Sequence, residues 1–161
     1  MSDDAVADED LQKVHLEPLT PHEATITLVN YDPNWPAMFE RESARIREVL
    51  GDRVLLIEHA GSTSVPGLVA KPIIDIILAV ADSADEASYV PPLTGVGYRL
   101  VIREPDWFEH RVFKGPDTDI NLHTFSVGTV EIDRMLRFRD RLRTHAGDRA
   151  QYADTKCTLA A

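Results

Sequence analysis

The chain has a single cysteine, Cys157, among its 161 residues. One thiol excludes a disulfide framework and suits a reducing compartment. Its place in the last predicted helix makes a buried, inert thiol the plain expectation. No run of apolar residues approaches the length that crosses a bilayer, so no membrane partner is expected. The opening residues, MSDDAVADEDLQK, are acidic where an export signal would be basic and then apolar. A cytoplasmic protein, monomer or homodimer, is the expectation. Positive charge is scarce as well: 17 Lys and Arg stand against 27 Asp and Glu, a formal net charge of −10. That balance argues against a protein that coats nucleic-acid backbone by displacing counterions. It leaves room for a small phosphorylated ligand held by a few local cations.

What is present reads as one domain. Residues 1–23 combine the acidic run with an EPLTPHE break and are expected to form a flexible leader, with the folded domain over 24–161. TITLVNY has the β-branched content of a strand. Asn34 then stands where a helix N-cap belongs, with Trp35 and Pro36 in the first turn. Met38, Phe39, Ile46, Val49 and Leu50 fall on one helical stripe that Gly51 ends. RVLLIEHA and PIIDIILAV are near-continuous aliphatic runs, the pattern of central strands covered on both faces. ADSADEASYVPPLTGVG reads as a short helix broken at its end by proline. YRLVI, WFEHRVFKG and DINLHTFSV are three more strands, each bounded by turn residues. Ile132, Met135, Leu136 and Leu142 mark a helix ending at Gly147, and DRAQYADTKCTLAA a last amphipathic one. The predicted fold class is α+β, a mixed sheet with helices packed on it.

Two features carry chemistry. In HAGSTSVPG a turn of small residues follows a buried strand, and such turns present N–H groups and hydroxyls to an anion. Gly61, Ser62, Thr63 and Ser64 are the candidate phosphate cradle. Asp75 lies in a run so apolar that an ionised carboxylate there needs a partner or a metal. Lys71, between the two, is within reach of a phosphate at Ser62, and Arg111 and Lys114 are further candidate cations. Arg139 and Arg143 share a helical face, as do Tyr152 and Lys156, four residues apart.

IEHAGSTSVPGLVAKPIIDI resembles the signature of the GrpB family, a small-domain branch of the DNA polymerase beta-like nucleotidyltransferase superfamily. YDPNWPAMFERE, NLHTF and FRDRLRTHAGDRAQYADTKCTLA are similar to that family's pattern too. The resemblance implies a nucleotidyltransferase-like fold. It also implies a Gly-Ser turn on a nucleotide's phosphates, followed by an acid, an apolar residue and a second acid on a strand, with a third acid on a neighbouring strand. Two metal ions on such carboxylates would stabilise both the attacking and leaving oxygens of an in-line displacement. Gly61 and Ser62 match the turn and Asp75 the first acid, but Ile77 stands where the second acid belongs. Strand alternation places Asp119, Asn121, His123 and Phe125 on one face, and NLHTF corresponds to the family's His-containing strand, so the resemblance implies His123 as the candidate partner of Asp75. Glu58 and His59, just before the turn, are further candidate ligands, with Asp119. Asp plus His suits zinc, manganese or nickel better than a bare magnesium pair. The expectation is a divalent-metal-dependent enzyme that acts on a nucleoside triphosphate and a small acceptor, with Asp75, Lys71 and Arg111 in catalytic roles. The alternatives are a non-catalytic module of the same fold that binds a nucleotide or phosphometabolite, and a scaffold that keeps the motif for folding.

Overall fold

The computed structural model describes residue 16 and residues 27–160. The leader expected over 1–23 lies outside the described residues apart from Leu16, as does the start of the expected first strand. Among the described residues, short 3-10 turns aside, nine helices and strands follow in order: α1 (Trp35–Leu50), β1 (Leu56–Ala60), β2 (Ile74–Val80), α2 (Val90–Gly95), β3 (Arg99–Glu104), β4 (His110–Lys114), β5 (Ile120–Ser126), α3 (Val130–Thr144) and α4 (Ala146–Ala160). The architecture is mixed α+β, with one five-stranded sheet in the order β1-β2-β5-β4-β3. β2 and β5 run parallel, and the other neighbours are antiparallel.

Helix α1 forms where its proline and its apolar stripe require. Pro36 sits in the first turn, where a missing N–H costs nothing, and Gly51 ends the helix at a φ of 56°. Asn34 holds the capping position without using its side chain; instead its N–H donates to Asp32 Oδ1 at 2.9 Å. Ile46 and Leu50 are buried against Ile57, Ile74, Ile76 and Leu78, and Met38, Phe39 and Val49 pack at the margin. This face of the sheet is the main core, closed at its far end by Tyr89, Leu93, Tyr98 and Phe113 around α2.

The opposite face is only half apolar. Ala60, Ile77, Ala79 and Phe125 pack there against Ile132 of α3, with Met135 and Leu136 beside them. The α3–α4 pair then grips the loop after β1, where Val65 and Leu68 bury Leu142 and meet Tyr152.

Several expectations are corrected. β1 is an edge strand, not a central one; its Glu58 and Leu56 remain half-exposed because nothing pairs beyond it in the sheet. Among the described residues of the expected first strand, Val29 makes only an isolated bridge to Ala70. Pro91 and Pro92 begin α2 rather than break its end, again because early helical positions tolerate a missing N–H. Helix α3 stops at Thr144, before His145 in extended backbone, and Gly147 falls inside α4. Cys157 is exposed, on the outer side of α4.

Candidate functional site

Asp75 is second on β2, opposite Ala60 of β1 and beside Asn121 of β5. Alternation puts it on the same face as Ile77 and Ala79, but at the end that the α3 cluster leaves to polar residues. The carboxylate in an aliphatic strand is therefore not a buried charge: its side chain is 28 % exposed. Ile77 is fully buried within the apolar half. The position where the resemblance calls for a second acid is part of a dry core.

His123 stands beside Asp75, as the resemblance implies, and a row of polar side chains continues from it across the sheet. His123 Nε2 lies 3.1 Å from Asp75 Oδ1, His123 Nδ1 lies 3.0 Å from His110 Nε2, and His110 Nδ1 lies 2.9 Å from Glu104 Oε1. Burial pushes His110 down to about 4, so its ring is neutral near pH 7. A neutral His110 that donates its Nδ1–H to Glu104 accepts at Nε2, so His123 Nδ1 is the donor of the middle bond. Asn121 adds a long contact to Asp75 Oδ1 at 3.5 Å and accepts from Lys114 Nζ at 2.9 Å.

The Gly-Ser turn sits directly on Asp75. Gly61 has φ 69° and ψ −173°, a region that side chains other than hydrogen avoid. A Cβ there would stand 3.0 Å from both Cβ and Cγ of Asp75 and nearer still to a carboxylate oxygen. Thr63 and Ser64 are buried, and their hydroxyls turn inward. Thr63 Oγ1 donates to the Ile73 carbonyl at 3.3 Å and meets His59 Nε2 at 3.0 Å, while Ser64 Oγ donates to the Gly61 carbonyl at 2.5 Å. Of the three hydroxyls expected to cradle phosphate, only that of Ser62 is free of the turn. It accepts from Lys156 Nζ at 2.7 Å. Helix α4 delivers that ammonium, and burial lowers its pKa below the usual lysine value; Asp75 opposes the shift and Lys71 adds to it. Lys71, Lys156, Ser62 and Asp75 thus form one neighbourhood.

The remaining predicted residues do not join it. Glu58 accepts from Arg139 at 2.9 Å, and the same guanidinium caps the free carbonyl of His59 at 2.9 Å. His59 is buried on the α1 side, stacked on Phe39 with ring centroids 5.1 Å apart, and burial holds it at about 4. Asp119 is exposed and bonded to Lys114 at 3.0 Å. Arg111 is buried on the face opposite Asp75, because it pairs across β4–β5 with Thr124 rather than His123. Glu86 at 2.7 Å and Glu109 at 3.1 Å neutralise it there.

A protein-held metal fits this set poorly. Asp75 and His123 are bonded to one another, and among the described residues no group of three His, Cys, Asp or Glu side chains is arranged to hold an ion. The cations Lys71 and Lys156 beside them favour an anion. His110 and Glu104 were not singled out from the sequence. Their signal was a register: His110 alternates with Val112 and Lys114, and only the β4–β5 pairing shows that this face is the one bearing His123.

The chain matches the GrpB protein family over residues 25–161. It is 68 % identical over 153 residues to a UPF0157 protein of Halalkalibacterium halodurans, covering 95 % of this chain and 78 % of that one. A UPF0157 protein of Streptomyces coelicolor is 43 % identical over 139 residues, 86 % of this chain and 73 % of the relative. The crystal structure of the conserved protein GrpB from Enterococcus faecalis superposes with a TM-score of 0.75 at 33 % identity, over 83 % of this chain and 82 % of that one. The Gly-Ser turn, Asp75 and the His123 strand all lie inside the matched span, and the chain belongs to the GrpB family.

Proposed function

We propose that this domain binds the phosphate end of a nucleotide or other phosphorylated metabolite at the corner formed by Gly61, Ser62, Lys71 and Lys156. The observation that carries the reading is the Lys156–Ser62 contact. A half-buried ammonium is brought 2.7 Å from a turn hydroxyl with no carboxylate of a described residue in contact, and a second lysine lies close enough to depress its pKa. Two such cations in a partly desolvated corner attract a phosphate far more strongly than the net charge of the chain repels it, since the repulsion is spread and screened. Recognition without a resident metal accords with Ile77 and with the thin donor set around Asp75.

A second reading is nucleotidyl transfer to a small acceptor, and the Asp75–His123 contact favours it. A carboxylate hydrogen-bonded to an imidazole, set beside a phosphate corner, is placed to take a proton from an acceptor hydroxyl. Lys71 and Lys156 would then hold the phosphates. Any magnesium would arrive with the triphosphate as part of the substrate.

Calorimetric titration with ATP, CTP, GTP and inorganic phosphate, each with EDTA, magnesium, manganese or zinc, tests both readings. Saturable binding in EDTA that Ser62→Ala weakens supports the phosphate corner. Absence of binding by every phosphate compound sinks it. Release of pyrophosphate that stops with Asp75→Asn supports transfer, and binding unaffected by that substitution and without turnover rules transfer out.

A further inference from the structure

On the other side of the turn, at the open edge of β1, a cavity of about 460 Å³ lies between α1 and the α3–α4 pair. Its lining includes Tyr31, Phe39, His59, Glu40, Arg143 and Arg149, and neither Asp75, Ser62, Lys71 nor Lys156 takes part. That volume falls within the range of small-molecule sites. One wall is aromatic. Phe39 is stacked on His59 at 12° between planes, and Tyr31 is braced edge-on against Trp35 at 5.3 Å. His59 is neutral near pH 7 and adds polarity without charge.

The opposite side is cationic and weakly compensated. Arg139 is matched by Glu58 and Asp140, each at 2.9 Å. Arg143 has no such partner: its Nε donates to the Ser64 carbonyl at 2.9 Å, and its nearest carboxylate oxygen, on Asp140, is 4.0 Å away. Arg149 donates to the carbonyls of Leu142 and Arg143 at 3.1 and 3.2 Å and makes no ion pair with any described residue. Each guanidinium keeps donors that no described residue uses. Burial and the neighbouring Arg139 charge lower the Arg143 pKa below the usual arginine value, the mark of a cation short of a counter-charge. Glu40, exposed on α1, is the one carboxylate in the lining with no cation paired to it among the described residues.

We propose that this cavity is a second small-molecule site, which takes a flat, ring-bearing ligand with an anionic head: the ring lies against Tyr31 and Phe39, and the head, a carboxylate or a phosphate, meets Arg143 and Arg149. Flat aromatic walls bury a ring with little loss of side-chain freedom, and guanidinium donors read a planar or tetrahedral oxyanion in pairs. The site stands independently of the phosphate corner.

The test titrates 2-naphthoate, 2-naphthyl phosphate and neutral 2-naphthalenemethanol into the full chain, followed by heteronuclear NMR and fluorescence. At least one anionic probe is expected to saturate, with shifts centred on Tyr31, Phe39 and His59, and the neutral probe to bind about tenfold or more weakly. Preference between the two anions identifies the head group. Arg149→Met should weaken the anionic probe about tenfold, whereas exposed Glu40→Gln, which leaves the fold untouched, should strengthen it by removing a negative charge. Lys156→Met should leave it unchanged. No saturable binding by either anion, equal binding of the neutral probe, or an affinity that Glu40→Gln does not raise would each overturn the proposal. A probe whose shifts centre on Ser62 and is lost with Lys156→Met would also overturn it, and would leave the phosphate corner standing.

Discussion

Replacing Gly61 with alanine should damage both the fold and the phosphate corner, through one atom. The backbone there, at φ 69° and ψ −173°, lies in a region costing a side-chain-bearing residue about 1–3 kcal/mol. The new Cβ would also stand 3.0 Å from two carbons of Asp75 and closer to its carboxylate oxygen, so that side chain must leave its rotamer, at about 0.5–1.5 kcal/mol. Together these give a loss of about 2–4 kcal/mol, or a fall in Tm of about 5–15 °C for a chain of this size. Thermal and urea unfolding of Gly61→Ala, Asp75→Ala and the double variant check the reasoning. Removing the carboxylate relieves part of the clash, so the double variant should be more stable than the two single losses add to, by about 0.5–1.5 kcal/mol. A Gly61→Ala protein within about 0.5 kcal/mol of wild type would refute the close approach. Strict additivity would refute the role of Asp75 in it.

Other perturbations follow from the same contacts. Ile77→Asp, which restores the missing acid, should destabilise by more than about 3 kcal/mol because that side chain is fully buried among Ala60, Ala79 and Phe125, while Ile77→Val should cost about 1 kcal/mol; urea midpoints compare them, and a well-folded Ile77→Asp would show that the position is less tightly packed than described. His59 and His110 both sit near 4 because burial disfavours their charged forms. The unfolded chain therefore binds more protons between about pH 6.5 and pH 4, and stability should be full above pH 6.5 and fall as pH drops through that window. His110→Gln should flatten the fall in urea midpoint against pH; an unchanged slope would mean the ring is not held neutral. Glu86, lowered to about 2 chiefly by Arg103, should contribute stability above pH 4.5 that disappears only as pH falls toward 2, and Glu86→Gln should remove that acid limb. Arg139→Met frees Glu58 and the edge carbonyl of His59, and a loss of about 1–2 kcal/mol by urea denaturation is expected.

Much of this was legible in the residues. The apolar stripe of α1 with its Pro36 start and Gly51 stop, and the strand length of the two aliphatic runs, identify that helix and those strands. The pairing of Asp75 with His123 is implied by the resemblance through NLHTF, whereas alternation shows only that Asn121 and His123 share a face. What period cannot show is order across the sheet. RVLLIEHA looks like an interior strand because α1 covers one face and α3 the other, yet it lies at an edge. Arg111 and His110 are adjacent in sequence and on opposite faces, so choosing between them requires the β4–β5 register, and the expectation for Arg111 falls on the wrong face. The turn hydroxyls failed for a similar reason. Composition makes Thr63 and Ser64 look like ligands, whereas the chain's own carbonyls and His59 take their hydrogen bonds.

The central claim is that Lys156 and Ser62 bind phosphate, and it rests most directly on one ratio: the dissociation constant of ATP in EDTA for Lys156→Met over that for wild type. Loss of a charge-assisted contact predicts a ratio of about ten or more, with the urea midpoint little changed. A ratio near one, with wild type binding ATP, would place the nucleotide elsewhere on the molecule and contradict the reading of the corner.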